Sequence, residues 1–443
     1  MVNAPETNWK QLDIAICGAG ISGFAAAVAL RRAGHKVTCY ERYDFAGEVG
    51  ASISCAMNGT QWLEEWKVDT AAMRPVILQN LVMHHWETGK PINYYDLQDY
   101  KDKWGYVYNM FHRQDMHQIL METALSQEGE GIPATLHTNH RVKTVDYEAG
   151  TVTFENGKTI KADMIIGSDG IRSAVRPNLG IEAKIEPAPL AAYRCNIAAK
   201  TCEELGLENL TASNGIDYWG GFKEGDRSQY FKIVLSGCRS GEILSFYLFM
   251  PEELTPQRKE GFRFAEVDVE EIAKPFRDAG LDKRVTDLIE HSFDRMPWRL
   301  YLHEPYPYWS KGLATLTGDA AHPMLPNQSQ GAVQAIEDAA ALHIIFGKDY
   351  GYTNDVAAGL QLYEKIRKPR ATRVQAASIR ATEDINERIG FSSTPYSQGK
   401  HANTGVLTID EMNLYNMRQD VAANAADFPV KATANGTNGV NGH

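Results

Sequence analysis

The chain has little of what marks several large classes of protein. Its six cysteines in 443 residues include no Cys-x-x-Cys pair, so neither zinc-ligand spacing nor a thioredoxin-like redox centre is present, and no metal site is expected. Cys17 and Cys39 fall in apolar, strand-like runs where a free thiol acts as a small hydrophobe. No apolar run approaches the roughly 18 residues of a membrane span. Met1 to Lys10 is too polar for a signal peptide, and a soluble, cytoplasmic chain is expected. Basic residues are outnumbered, 45 to 56, and the net charge of -11 argues against a nucleic-acid surface. No Ser/His/Asp set or carboxylate dyad stands out. Asn58-Gly59-Thr60 and Asn209-Leu210-Thr211 fit the glycosylation pattern, which means little without a secretory signal.

Against these absences stand three short motifs in a fixed order: GAGISG at Gly18 to Gly23, IIGSDGIRSAVR at Ile165 to Arg176, and LTGDAAHPMLPNQSQG at Leu316 to Gly331. In the first, Asp13 to Cys17 reads as a short buried strand. Gly18, Gly20 and Gly23 give a tight turn that carries Ile21 and Ser22, and Phe24 to Arg32 is an Ala-rich helix. A helix that starts at a glycine turn points free N–H groups and partial positive charge at a pyrophosphate. Lys36 to Tyr40 reads as the second strand. Glu41 at its end, with Arg42 beside it, lies about 20 residues past the glycines, where an acid accepts hydrogen bonds from an adenosine ribose. This is a complete βαβ dinucleotide site, which does not distinguish FAD from NAD.

The other two motifs make that distinction. Ala162 to Ile166 reads as a strand, and the turn at Asp169-Gly170 is expected to gather Arg172, Ser173 and Arg176 beside the phosphates. Gly312 to Thr317 is a further strand ending at Gly318-Asp319, where a carboxylate accepts hydrogen bonds from a sugar-alcohol chain such as ribityl. After Pro323 and Pro326, a loop through Ser329 and Gln330 enters a helix spanning Gly331 to Phe346, with Ala332 in its first turn. That N-terminus favours negative charge by about 0.3 to 1 kcal/mol, or up to about 2 if partly buried, as a reduced anionic flavin would need. Together the motifs indicate bound FAD.

From about Asp13 to Ala377 the chain resembles the single-component, group A flavoprotein aromatic monooxygenases, in particular their salicylate hydroxylase-like branch in fungal secondary metabolism. The resemblance implies an α/β fold: a Rossmann-like FAD-binding domain, an inserted antiparallel-sheet substrate domain as in para-hydroxybenzoate hydroxylase, and C-terminal helices. It implies that the first motif holds the ADP part of FAD and that Asp169 and Gly170 serve FAD and the passing nicotinamide. Asp319 would hold the ribityl, the loop from Pro323 to Gly331 would border the flavin ring, and Arg113, within His112 to His117, would touch FAD. One departure stands out, because the family loop reads Pro-x-x-Gly-Gln-Gly and Ser329 takes the first Gly position here. A differently shaped backbone is expected at that point. The implied chemistry is hydroxylation of a phenol or phenolic acid through a flavin C4a-hydroperoxide formed with O2. NADPH or NADH is the reductant, expected to bind transiently because no second βαβ fingerprint exists.

The expected organisation is an FAD-binding domain of 1-75, 105-181 and 300-347, a substrate-binding sheet domain of 76-104 and 182-299, a helical region 348-426 and a disordered tail 427-443. His140 to Asp146, Thr151 to Glu155 and Ala162 to Ile166 read as a meander. Ala191 to Ala198, Gln229 to Ser236 and Ile243 to Met250 alternate at period two, as half-buried strands over a substrate pocket do. Helical periodicity from Ala357 to Ile389 is expected to break or kink at Pro369.

Candidate catalytic residues are Arg194, Tyr230, His322 and Pro326. Tyr193-Arg194 resembles the family's Tyr-Arg pair, and Arg194 either binds a phenolate or carboxylate or is an ion-paired surface residue. Tyr218, Trp219 and Tyr230 either line an aromatic pocket or fill core. His322 either contacts the flavin face or only holds its loop, and His84-His85, on a predicted strand, either reaches the pocket or fills core, the second being favoured because no further ligand pattern lies nearby. Attack at a carboxylated carbon would release carbon dioxide, and attack at an alkylated one would dearomatise the ring. Two rival classes are a flavin halogenase, for which no Trp-x-Trp-x-Ile-Pro segment is found, and a non-enzymatic flavin or nicotinamide sensor.

Overall fold

A computed structural model describes residues 9–44, 50–207, 214–223, 226–256, 266–382, 384–393 and 406–430. The Asn209-Leu210-Thr211 pattern and residues 431–443 of the expected tail lie outside them. Asn58, from the other glycosylation pattern, is buried and donates its amide to Glu337 and Gln330 inside the protein.

Continuous apolar runs such as Ile14 to Cys17 and Met164 to Ile166 need burial on both faces, which a parallel sheet between helices provides. Here Asp13–Cys17 lies between Lys36–Tyr40 and Met164–Gly167, and Ala314–Leu316 follows, all paired in parallel. Thr135–His137 and Ser310–Lys311 form the edges. The same argument corrects the expected meander. Its third strand is the amphipathic Thr159–Lys161, paired with Thr151–Phe154 beside Val142–Asp146, while the wholly apolar Met164–Gly167 leaves for the parallel sheet. Helices Ile21–Arg32 and Gly331–Ile345 pack on each other and are buried over most of their length, which Ala-rich surfaces permit.

The alternating strands build a seven-stranded sheet in the order Phe293–Trp298, Leu190–Ala198, Ile243–Pro251, Asp226–Cys238, Gly215–Lys223, Asn80–His84 and Pro91–Asp96. Alternation divides its two faces. Phe231, Ile233, Leu235, Phe246 and Leu248 form one core with helices Val269–Asp278 and Lys283–Glu290. Tyr218, Lys232, Val234, Tyr247 and Phe249 face the opposite way, toward the cofactor-motif side of the molecule. All six cysteines are buried and free.

The expected break at Pro369 does not occur, because Val356–Arg380 is one continuous helix with the proline inside it. Interior proline removes one N–H and costs about 3 kcal/mol. Flanking side chains offset this, since Arg367 and Arg370 on either side both donate to the buried Glu337 carboxylate. The helix ends at Arg380, and short 3-10 turns at Ile385–Glu387 and Phe391–Ser393 continue the path. Among the described residues no helix is long and apolar enough to cross a membrane.

Candidate active site

The three motifs meet at the carboxyl ends of three neighbouring parallel strands, the position where open α/β sheets bind ligands. Hydroxyls join them: Ser22 Oγ lies 3.0 Å from Thr317 Oγ1, which lies 2.6 Å from Ser168 Oγ. Backbone contact is close as well. A Cβ on Gly18 would stand 2.4 Å from the Ser168 carbonyl oxygen, and one on Gly23 would stand 2.0 Å from that of Gly18. Glu41 braces the turn, accepting from Ala19 N at 2.9 Å and Tyr43 N at 3.0 Å.

A cavity of about 370 Å³ opens at this junction and runs to the seven-stranded sheet. Gly20, Ile21, Ser22 and Gly170 line one end, Arg113 and Asp319 the middle, and Pro326, Ser329, Gly331 and Ala332 the loop side. These residues fit FAD. Cβ atoms added to Gly20 or Gly170 would meet nothing within 4 Å, leaving space for a close approach to the backbone. Two helix N-termini, at Ile21 and Gly331, border the cavity with unsatisfied backbone donors. The Asp319 carboxylate is exposed to it and can accept from ribityl hydroxyls.

Other predicted cofactor residues support the cavity from behind its lining. Asp169 accepts from Ala174 N at 2.6 Å and Val175 N at 3.1 Å, and burial holds its carboxyl above the ordinary value. Ser173 caps the following turn, and Arg176 turns inward to the carbonyls of Ala320 and Ile171. Arg172 is exposed, Arg42 lies against the Tyr43 ring, and Gln330 is buried against Asn58 and Gln334.

His322 is fully buried away from the cavity lining, donating from Nε2 to Asp338 Oδ2 at 2.7 Å. Asp338 also accepts from Gly318 N at 2.9 Å and Arg367 Nε at 2.9 Å, while Glu337 accepts from Arg367 at 2.6 Å and Arg370 at 2.7 Å. This ionic network holds the Gly318–Ala320 turn, and hence Asp319, against the long helix.

Ser329 occupies the left-handed region at φ 54, ψ 33, a conformation glycine adopts without strain. The loop keeps a glycine-like backbone while carrying a side chain. We expect Ser329→Gly to raise thermal stability modestly, by about 1 kcal/mol at most, since the left-handed penalty of about 1 to 2 kcal/mol is partly offset by glycine's entropy. A melting curve of the variant beside the parent checks this.

The sheet end of the cavity joins Asn327 of the third motif and Tyr218, one of the aromatics weighed for a pocket, to Lys232, Phe249 and Arg388, which no motif announced. Burial, with Arg388 nearby, brings the Lys232 ammonium down to about 7. Asn327 and Gln328 tie the loop after Pro326 to the end of the long helix, donating to the carbonyls of Ser378 and Ala377 at 2.8 and 3.0 Å. Of the predicted catalytic residues, Pro326 lines the cavity and Arg194, Tyr230 and His322 do not. Arg194 is buried one strand beyond Tyr247, and its neighbour Tyr193 points to the opposite face, donating to Glu271 at 2.7 Å. Tyr230 stacks obliquely on Phe222 at the sheet's end. His84 is also on the far face, bonded to Asp217 at 2.8 Å and stacked on Trp219. A lone lysine inside the apolar run Tyr230 to Leu235 was the one available signal for Lys232. Arg388 had none, because its place depends on how the chain returns after Arg380.

Fold and cavity together define a flavoprotein hydroxylase class. The family model described as "FAD binding domain" matches residues 11–378, and the chain belongs to that family. It is 32% identical over 429 residues to the FAD-dependent monooxygenase cfoG of Aspergillus candidus, covering 93% of each chain. To the hispidin-3-hydroxylase of Neonothopanus nambi it is 32% identical over 385 residues, 83% of this chain and 88% of that one. A salicylate hydroxylase solved with substrate has the same fold, with a TM-score of 0.72 at 22% identity, covering 95% of this chain and 99% of that one. The chain is an FAD-dependent aromatic monooxygenase.

Proposed function

We propose that the protein hydroxylates a phenol or phenolic acid, using NADPH or NADH and O2, with FAD held between the three motifs. The observation that carries this reading is one continuous cavity that joins the glycine turn and Asp319 to a wall of Tyr218, Val234, Phe249 and Met324. When bound and reduced, FAD supplies the activation of oxygen. The chain's own residues bind, orient and shield. Asp319 and the N-terminus at Gly331 would hold the cofactor, and Pro326, Asn327 and Ser329 line the loop side of the cavity. Ile216, Val234 and Phe249 line the cavity with apolar surface that excludes water. Arg113 sits between the two ends, where its guanidinium favours negative charge on cofactor or substrate.

Relatives named hispidin-3-hydroxylase and 6-hydroxynicotinate 3-monooxygenase, the second for a hydroxylated pyridine acid, support a small aromatic substrate that already carries a hydroxyl. We expect the purified yellow protein to oxidise NADPH or NADH at least about tenfold faster with its phenol than without, a barrier difference of about 1.4 kcal/mol. Nicotinamide absorbance, oxygen uptake and product mass in the same samples check this. A gain of one oxygen identifies plain hydroxylation, and a gain with loss of carbon dioxide identifies attack at a carboxylated carbon. Bound FAD with no stimulation by any phenol or phenolic acid would sink the proposal.

A further inference from the structure

We propose that Lys232 and Arg388 form an anion clamp that takes the ionised oxygen of an aromatic alcohol, Lys232 accepting the hydroxyl proton. This rests on the aromatic substrate argued above and names the groups that would select its charge. Both side chains are only 3% exposed, and both line the cavity. Lys232 Nζ donates to the side-chain oxygen of Asn327 and, at 3.3 Å, to the Ala381 carbonyl, with the Phe249 ring 4.6 Å away. Arg388 lies over the Tyr218 ring at 4.8 Å, donates to the Ile389 carbonyl at 2.7 Å, and its Nε has no partner.

Every one of these partners is neutral. Among the described residues no carboxylate comes within ion-pair distance of either cation, although elsewhere the chain pairs its buried charges closely, as Arg367 does with Glu337 and Asp338. An uncompensated buried cation is costly, and two on one wall of an apolar cavity are more so. A substrate anion placed against both would offset that cost through charge-assisted hydrogen bonds.

The proton balance is simple. The substrate O–H bond breaks, its electron pair stays on oxygen, and the proton forms the third N–H bond of the Lys232 ammonium. The phenolate then lies between ammonium and guanidinium, its charge raising electron density at the ortho and para carbons where an oxygen atom would be accepted. Burial has already brought Lys232 to about 7, so neutral amine is present near neutral pH. The other titratable groups around it are three phenols and the Asp384 carboxylate. Burial pushes the phenols of Tyr218, Tyr230 and Tyr247 up, so they stay neutral, and Asp384 caps the Ile385–Glu387 turn through Asn386 N at 2.9 Å. Arg113 and Asp319 line the cavity's cofactor side.

The test compares 4-nitrophenol with its methyl ether, 4-nitroanisole, which has the same ring and no proton to lose. Binding to the FAD-loaded protein is measured by equilibrium dialysis without reductant, and the difference spectrum reports ionisation. We expect a preference for the phenol of about tenfold or more, within the range of a hydrogen bond to a charged group. The bound phenol should be the yellow phenolate at a pH where it is mostly neutral in solution. Lys232→Met should lose both the preference and the yellow form, Arg388→Met should weaken both, and Lys232→Arg, which keeps the charge, should restore the preference. Lys232→Met replaces a desolvated ammonium with an apolar side chain of similar length, so retained FAD absorbance and melting temperature are expected and checked. Equal binding of the two compounds, binding of neither, or a preference that survives Lys232→Met would overturn the clamp. Phenolate binding without phenol-stimulated nicotinamide oxidation would instead overturn the hydroxylase reading alone.

Discussion

Arg367→Met is expected to cost about 3 to 5 kcal/mol of stability, because it leaves the Glu337 and Asp338 carboxylates buried with too little positive charge. Arg367 is fully buried and is the only described cation bonded to both acids, so no solvent can take over its five donors. The damage should extend to the cofactor. Asp338 holds Gly318 N and His322, and loosening that turn displaces Asp319 at the cavity wall. Denaturant melts of protein with and without FAD measure both effects, and a loss below about 1 kcal/mol would be typical only of an exposed pair and would contradict the network. Acid adds a second reading. Burial alone would raise both carboxyls, but Arg370 and Arg367 facing Glu337, and His322 and Arg367 facing Asp338, hold them below the ordinary range. A folded value below the unfolded one means the stabilisation is fully present above about pH 4 and is lost as pH falls through the folded values. In Arg367→Met those carboxyls gain protons more readily, so the gap between the parent and the variant should narrow on acidification.

Gly23→Ala should reduce FAD affinity roughly ten- to a hundredfold, the equivalent of an overpacking cost of about 1 to 3 kcal/mol. The added Cβ would stand 2.0 Å from the Gly18 carbonyl oxygen, and that oxygen belongs to backbone which cannot swing aside. Either the helix Ile21–Arg32 moves away from the strand end or the glycine turn opens, and both carry the N-terminal donors off the pyrophosphate position. Gly20→Ala separates packing from contact, since its Cβ meets nothing within 4 Å of protein. Its melting temperature without FAD should match the parent, and any affinity it loses reports the cofactor's own approach. Fluorescence titration of apoprotein with FAD distinguishes the two variants, and a Gly23→Ala protein that binds FAD as tightly as the parent would contradict the close-packing argument.

The nucleotide end of the molecule was legible because its rules are local. Gly18, Gly20 and Gly23 must make a turn between Asp13–Cys17 and Ile21–Arg32, and hydrophobic runs of four or five residues fix where the strands lie. Ser329 in the loop could be recognised as a departure, yet only its backbone angles showed that it adopts a glycine's conformation there. Local rules also misled. Pro369 predicts a break or kink, yet the helix runs through it with Arg367 and Arg370, on either side of the proline, both bonded to Glu337. Ala162 to Ile166 follows two strands and looks like their partner, but the continuous apolar run that begins only at Met164 requires a doubly covered sheet.

By itself, then, the sequence determined the cofactor: three motifs whose glycines, carboxylates and helix starts allow one kind of ligand, through interactions spanning a few residues each. It also determined which side chains share a face of each strand, since alternation is a property of extended backbone. What each face meets was decided only by tertiary structure. Tyr193 and Arg194 parted to opposite sides of the sheet, and Arg194 came to rest beyond Tyr247. Lys232, Asn327 and Arg388 came together from a strand, a loop and a segment after the long helix. No periodicity encodes such a meeting, because it follows from how whole elements pack and from the cost of leaving buried charge without a partner.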